Sequence, residues 1–384
     1  MKNIGGRDRR PTAGTAPARA TVPRAPLLLL AGLSMLAGLD AALMLLGVGA
    51  PVSADRLPDA HGMLMVLGFV GTLVCLERAV ALGRAAGYAA PALLGAGSLL
   101  LLAPVPPAVG RTGLVLGMVA MCGVYVPLWR RQRDDAVLVQ GLGAVLGAGA
   151  ATMWLGGADV SAFLPWLAGF LVLTIAGERL ELARLAMGPQ AGPILVSLSV
   201  AVMAGTVASL LWPTAGYPLL GATLLALTGW LLVHDVARRT VRSVGLTRFM
   251  AASMLAGYFW LLVTAGTWLL HGEATAGPAY DVVVHATFLG FTISMIMAHA
   301  PVILPAVLRR PLPYRPVLWA PLVLLHASLA VRLWLGDARG VHVAWQVGGA
   351  LNVVALLLFF GLAAWSVVTA ARRRSRLSVA GRAA

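Results

Sequence analysis

Imidazole is the side chain best suited to ligating heme iron or passing protons near neutral pH, and seven histidines are spread along this chain. Two of them, His285 and His299, bracket the run HATFLGFTISMIMAHAPVILP, which is otherwise apolar enough to cross a bilayer. Their spacing of fourteen residues is roughly 21 Å along a helix and returns to within about 40° of the starting direction, so both rings look the same way at different depths. Such a ladder suits cofactors or polar relays stacked across a membrane; the plainer alternative is two histidines each bonded to a neighbouring helix. His61, His271, His285 and His342 all fall at helix ends expected on the outer face. His299 and His326 lie nine and ten residues from the inner ends of successive helices, a shared depth of about 14 Å, and form a candidate mid-membrane metal or proton pair. His234 closes a helix beside Asp235 and is expected at the inner interface.

The other ionisable groups inside apolar runs are Asp40, Glu77, Arg78, Glu178, Arg179, Glu181 and Arg332. The segments CLERAVALGR and AGERLELARL resemble each other at two inner helix ends. Cross-pairing of Glu77 with Arg179 and of Glu178 with Arg78 would neutralise four charges that are expensive in a bilayer. Helices 2 and 10 share a frame as well: LGFVGTLVCLERAV and LGFTISMIMAHAPV align on Leu-Gly-Phe. Gly68 and Gly290 in that frame would admit a neighbouring helix or a flat cofactor.

The elements that must position these groups follow from composition. With 59% apolar residues and 11% charged ones in 384 residues, and a strongly positive mean hydropathy, an ordinary soluble globule is excluded. Runs of about 20 apolar residues predict an all-α, polytopic membrane bundle of twelve helices, near 25–49, 60–82, 87–103, 107–129, 136–156, 160–183, 191–212, 217–236, 247–271, 279–308, 316–335 and 341–370. The third, short and bounded by Pro91 and Pro104, is the weakest. The net charge of +15 raises the question of nucleic acid. With the N-terminus inside, however, all of the 29 Lys and Arg residues except Arg56, Arg111, Arg332 and Arg339 fall on the cytoplasmic side. That is the positive-inside asymmetry of a threaded bundle, so the charge reports topology, two cytoplasmic termini and no nucleic-acid partner. Residues 1–24 read as a disordered cytoplasmic tail without a cleavable signal, 25–371 as the transmembrane domain and 372–384 as a basic cytoplasmic tail. Cys75 and Cys122 stand singly and imply neither a disulfide nor covalent heme attachment. There is no phosphate-binding loop, dinucleotide fingerprint, HExxH motif or recognisable nucleophile motif.

A heme in a helix bundle needs two axial ligands at matching depth on facing helices. His61 and His285 meet that requirement. In the twelve-helix heme–copper oxidases, low-spin heme is ligated from helices 2 and 10 near the outer face, and this chain is similar to them in architecture; lacking histidines on helices 6 and 7, it should have no binuclear centre of their type. It more closely resembles the NnrS family of heme- and copper-containing membrane proteins linked to bacterial nitric-oxide stress. The resemblance rests on PLLLLAGLSMLAGL opening helix 1, HGMLMVLGF opening helix 2, and a late helix of the form His-Ala-x-x-x-Gly, and it covers mainly residues 25–75 and 280–360. The opening departs from the family's His-x-His-Glu-Met, with Asp59 and Gly62 in place of the first histidine and the glutamate. The resemblance therefore implies heme more directly than copper. The expectation is a heme b on His61 and His285 in the bacterial cytoplasmic membrane, responding to redox state or a diatomic gas such as nitric oxide. A quinone is a further candidate partner, copper or a proton would occupy His299 and His326, and His342 and His271 would be outer-face accessories. The alternatives are a proton-coupled secondary transporter using His299, His326, Asp40 and Glu77, and an assembly subunit with no cofactor. Oligomeric state is not readable from the chain.

Overall fold

The computed structural model describes residues 24–308, 310 and 312–383, except for the side chains of Ala306, Leu308 and residues 371–383. Every element in it is helical. Eleven helices among the described residues are long and apolar enough to cross a membrane: α1 Ala25–Leu45, α2 Leu57–Leu82, α4 Pro107–Gln132, α5 Asp135–Leu155, α6 Val160–Met187, α7 Ala191–Leu211, α8 Pro213–His234, α9 Gly245–His271, α10 Gly277–Pro305, α11 Pro316–Asp337 and α12 His342–Ala370. Between α2 and α4 lies a shorter apolar helix, α3 Ala85–Leu100. All twelve expected runs are thus helical, and the weakest of them is the one that falls short. The disordered tail expected at 1–24 lies outside the described residues apart from Arg24, and beyond 370 the backbone continues as helix to Ala383.

Local chemistry explains the ends. Pro26, Pro58, Pro213 and Pro278 sit in the first turns of their helices, where a missing N–H loses nothing. Asp134 accepts a hydrogen bond from the Ala136 N–H at 3.0 Å and caps α5. Gly83, at φ +68°, closes α2 in the left-handed conformation.

Long-range bonds sort the loops onto two faces. On one, Arg56 donates to the Ala103 carbonyl at 2.7 Å and Gln346 to Leu46 at 2.9 Å, joining the α1–α2 loop to the α3–α4 loop and the start of α12 to the end of α1. On the other, Arg24 donates to Val307 at 2.9 Å, Arg184 to Asp134 at 2.7 Å and Arg315 to Thr369 at 3.0 Å. These contacts fit alternating directions for α1 to α6 and for α10 to α12. Leu29, Leu36, Leu116, Leu210 and Val354 stand exposed on the periphery, an apolar exterior suited to contact with a lipid bilayer.

The most enclosed helices are α6, α2 and α10. Both α2 and α10 are interrupted by wide π turns, at Leu64–Gly71 and His285–Ile293, and α11 by a third at Val331–Asp337. Such turns concentrate at functional sites because the extra residue re-aims the side chains around it. The first two contain the shared Leu-Gly-Phe frame of helices 2 and 10. Gly68 and Gly290 within them admit neighbouring helices rather than a flat cofactor: an added Cβ would lie 2.6 Å from Ser98 Cβ of α3 and 2.4 Å from Trp260 Cγ of α9 respectively.

Candidate functional site

His61 and His285 line the same cavity. It holds about 730 Å³ of empty space counted to its mouth and is walled by α1, α2, α6, α10, α11 and α12, chiefly with apolar side chains such as Met65, Val66, Phe288 and Leu356. The rings arrive in matching states. His61 Nδ1 lies 2.8 Å from the Gly38 carbonyl of α1, and His285 Nδ1 lies 3.1 Å from the Asp281 carbonyl one turn back. A carbonyl only accepts, so each Nδ1 carries a proton, and in the neutral ring each Nε2 keeps its lone pair. Among the described residues neither Nε2 makes a hydrogen bond. Next to His61 on the cavity wall, Gly62 has nothing within 4 Å of where a Cβ would stand.

Behind His285 stands a charge network. The Asp281 carboxylate is 3.0 Å from His285 Nδ1 and takes two bonds of 2.8 Å from Arg332 and one of 3.3 Å from the Trp345 indole. Arg332 was expected among the buried charges; Asp281 was missed, although its place four residues before a histidine is a legible helical-neighbour signal.

A second cavity, about 790 Å³ counted to its mouth, continues beyond Val70 and Leu171, which line both. It is lined by Glu77, Glu178 and His299 among mostly apolar side chains. The two histidines of α10 thus line two adjoining cavities, with the π turn at His285–Ile293 between them. Glu178 is 7% exposed and makes no hydrogen bond or ion pair among the described residues.

The structure corrects several pairings. The cross-pairs Glu77–Arg179 and Glu178–Arg78 are not formed. Arg78 turns back onto its own neighbour Glu77 and reaches Glu181 at 3.0 Å and Gln140 at 3.1 Å. Arg179 makes a two-pronged pair with Asp235 at 2.8 and 3.0 Å, which also accepts from the Tyr258 hydroxyl at 2.7 Å. Asp235, which follows His234 at the end of α8, is 1% exposed. Burial alone would raise its carboxyl, but the bonds and charge of Arg179, the Ala237 N–H and the Tyr258 hydroxyl outweigh burial and hold it below the ordinary carboxylate range.

Nor do His299 and His326 form a metal or proton pair, because both rings are fully engaged elsewhere. Arg179 lies 3.0 Å from His299 Nε2, and His299 Nδ1 lies 2.7 Å from the Met295 carbonyl; arginine only donates, so no lone pair remains for a metal. His326 Nδ1 accepts from the Trp260 indole at 2.8 Å, and its Nε2 faces Ser294 Oγ at 3.3 Å. Asp40 accepts from the Val52 N–H at 3.1 Å, holding the α1–α2 loop, so the four residues of the transporter relay do not converge. His271 and His342 are exposed at helix ends and line neither cavity; His342 stacks on Trp345 at 5.6 Å. Among the described residues, no three His, Cys, Asp or Glu side chains are grouped to hold a metal ion.

Residues 24–368 match the model of a family described as a domain of unknown function, DUF8744. The chain belongs to that family. No curated protein and no solved structure matches the chain.

Proposed function

We propose that this membrane protein holds a heme b between His61 and His285 and works in redox or diatomic-gas response, as its resemblance to the NnrS family implies. The observation that carries the reading is the pair of Nε2 lone pairs on one apolar cavity, each held by an Nδ1 bond to a backbone carbonyl. Bis-histidine ligation asks for that tautomer on both rings. A bound heme would supply a one-electron couple. The chain's own contribution is to hold and tune the ligands. The Asp281 carboxylate, 3.0 Å from the same Nδ1, places negative charge beside that N–H, which helps to orient the ring and raises its basicity. Arg332 balances the carboxylate that does this. Gly62 leaves the wall beside His61 open. With His61 and His285 both holding it, the group would supply electron transfer rather than direct gas binding. Copper is not part of the proposal, because His299 and His326 are committed to other partners. With twelve crossings and both termini cytoplasmic, as the arginine distribution implies, the heme would lie near the outer face of a bacterial cytoplasmic membrane.

The test is a visible spectrum of detergent-purified protein, oxidised and dithionite-reduced. The expected result is a low-spin b-type spectrum that His61→Ala and His285→Ala each abolish while the protein remains folded. An unchanged spectrum in both variants overturns the assignment, and colourless wild-type protein that carries a solute into proteoliposomes would establish the transporter reading instead.

A further inference from the structure

The inner cavity has room for a few water molecules, and one acid faces it without a partner. Glu178 is more than nine-tenths buried and lines the cavity among mostly aliphatic side chains. The charges near enough to bear on it are Glu77 and Arg78 of α2 and Glu181 and Arg179 of its own helix. Tyr125 of α4 lies close to the same group, and His299 faces the cavity from α10. Both cations in this set are engaged elsewhere. Arg179 is held by Asp235 and His299. Arg78 is shared by Glu77 and Glu181, and also donates to Gln140 of α5.

The balance of charge sets the state of Glu178. One guanidinium already serves two carboxylates, so a third negative charge there would stand uncompensated in a poorly hydrated wall, which costs more than keeping the proton. A neutral carboxyl both donates and accepts. Internal water is the usual partner of a buried polar group that no side chain satisfies. Among the described residues, the Tyr125 hydroxyl and Arg78 Nε are likewise buried without a hydrogen-bond partner. The route from the surface is short. Glu77, which lines the cavity with Glu178, has 20% of its side chain exposed and Glu181 has 42%, and both lie within about two turns of the inner ends of their helices. On the other side, Val70 and Leu171 line both this cavity and that of His61 and His285.

We propose that Glu178 is a proton-binding site: it holds a proton while Glu77 and Glu181 share Arg78, and exchanges it with water that enters the inner cavity past Glu77. On release the carboxyl O–H bond breaks, its electron pair stays on the carboxylate and the proton passes to water, so neither an oxidant nor a reductant takes part. The site does not depend on the heme reading.

Infrared spectra of the purified full-length protein in detergent test this. At neutral pH the wild type should show the carbonyl stretch of a neutral carboxylic acid that Glu178→Gln lacks, with the melting temperature kept because an amide replaces an uncharged carboxyl. The band should shift on transfer to heavy water, and Val74→Phe, which fills the cavity without touching a charge, should slow that shift while leaving the band. Glu181→Gln removes one of the two carboxylates on Arg78, so Glu178 should give up its proton about tenfold more readily, and its band should fade at a lower pH. Identical carboxyl regions in wild type and Glu178→Gln, or a wild-type band that heavy water never shifts, would overturn the proposal. So would a band whose fading ignores Glu181→Gln. A colourless protein with this band upholds the proton site and sinks the heme reading, and a red protein without it does the reverse.

Discussion

Arg179 and Asp235 form a buried pair with 4% and 1% side-chain exposure, and what surrounds them decides how much rests on it. His299 accepts from the same guanidinium and Tyr258 donates to the same carboxylate, so four residues from α6, the α8–α9 connection, α9 and α10 satisfy one another. Removing one charge strands the other in a place that water reaches poorly. Asp235→Asn should therefore destabilise the folded protein by about 3–5 kcal/mol, read as a drop in melting temperature and in monodisperse yield. The same group gives a pH dependence. Its folded-state acidity is shifted below the ordinary carboxylate range, so its contribution is fully present above the unfolded value of about 3.9 and is lost as pH falls through the folded value. Acid melts of wild type and Asp235→Asn should converge at the low end of that window; parallel curves would show that the pair contributes no pH-linked stability.

At the scale of elements, the wide turns of α2 and α10 do two jobs. They re-aim the chain directly after His61 and from His285 onward, and their glycines let α3 and α9 approach closely. A methyl at Gly290 would stand 2.4 Å from Trp260 Cγ, whereas one at Gly266 of α9 would meet nothing within 4 Å. Gly290→Ala should consequently cost about 1–3 kcal/mol through overpacking. Gly266→Ala should be neutral or stabilising by up to roughly 1 kcal/mol, since alanine is the better helix former. Thermal melts in detergent compare the two, and an equal effect would mean that the close approach at Trp260 is not what Gly290 supplies. Trp260 also donates to His326, so the displacement would be felt at that ring too.

For the whole molecule, the loop contacts and the arginine distribution describe the same alternation. Arg56 bonds across to the α3–α4 loop that precedes Arg111, placing two of the few arginines assigned outside on one face. Arg24, Arg184 and Arg315 make their contacts on the opposite face. Single cysteines introduced at Arg56, Arg111 and Arg339 should label with an impermeant maleimide in intact cells, while those at Arg84, Arg133 and Arg242 should label only after permeabilisation. Labelling of Arg84→Cys in intact cells would break the alternation at α3, the helix too short to be a certain crossing on length.

Much of this was legible in the chain because it depends on local properties. Apolar runs dictate helices, and prolines and glycines mark their ends, whereas the π turn at His285–Ile293 changes the helical phase on which the fourteen-residue spacing of His285 and His299 was read. The meeting of His61 with His285 was also readable, from matching depth on two helices. What the chain could not reveal was which side of each helix turns toward which neighbour. That choice gave Arg179 to Asp235 instead of Glu77, left Glu178 without a partner, and engaged His299 and His326 with Arg179 and Trp260 before either could serve a metal. In a sequence, Glu178 and Arg179 differ by one position; in the bundle that one position is about 100° of rotation, enough to turn one side chain into a charge network and the other into a cavity.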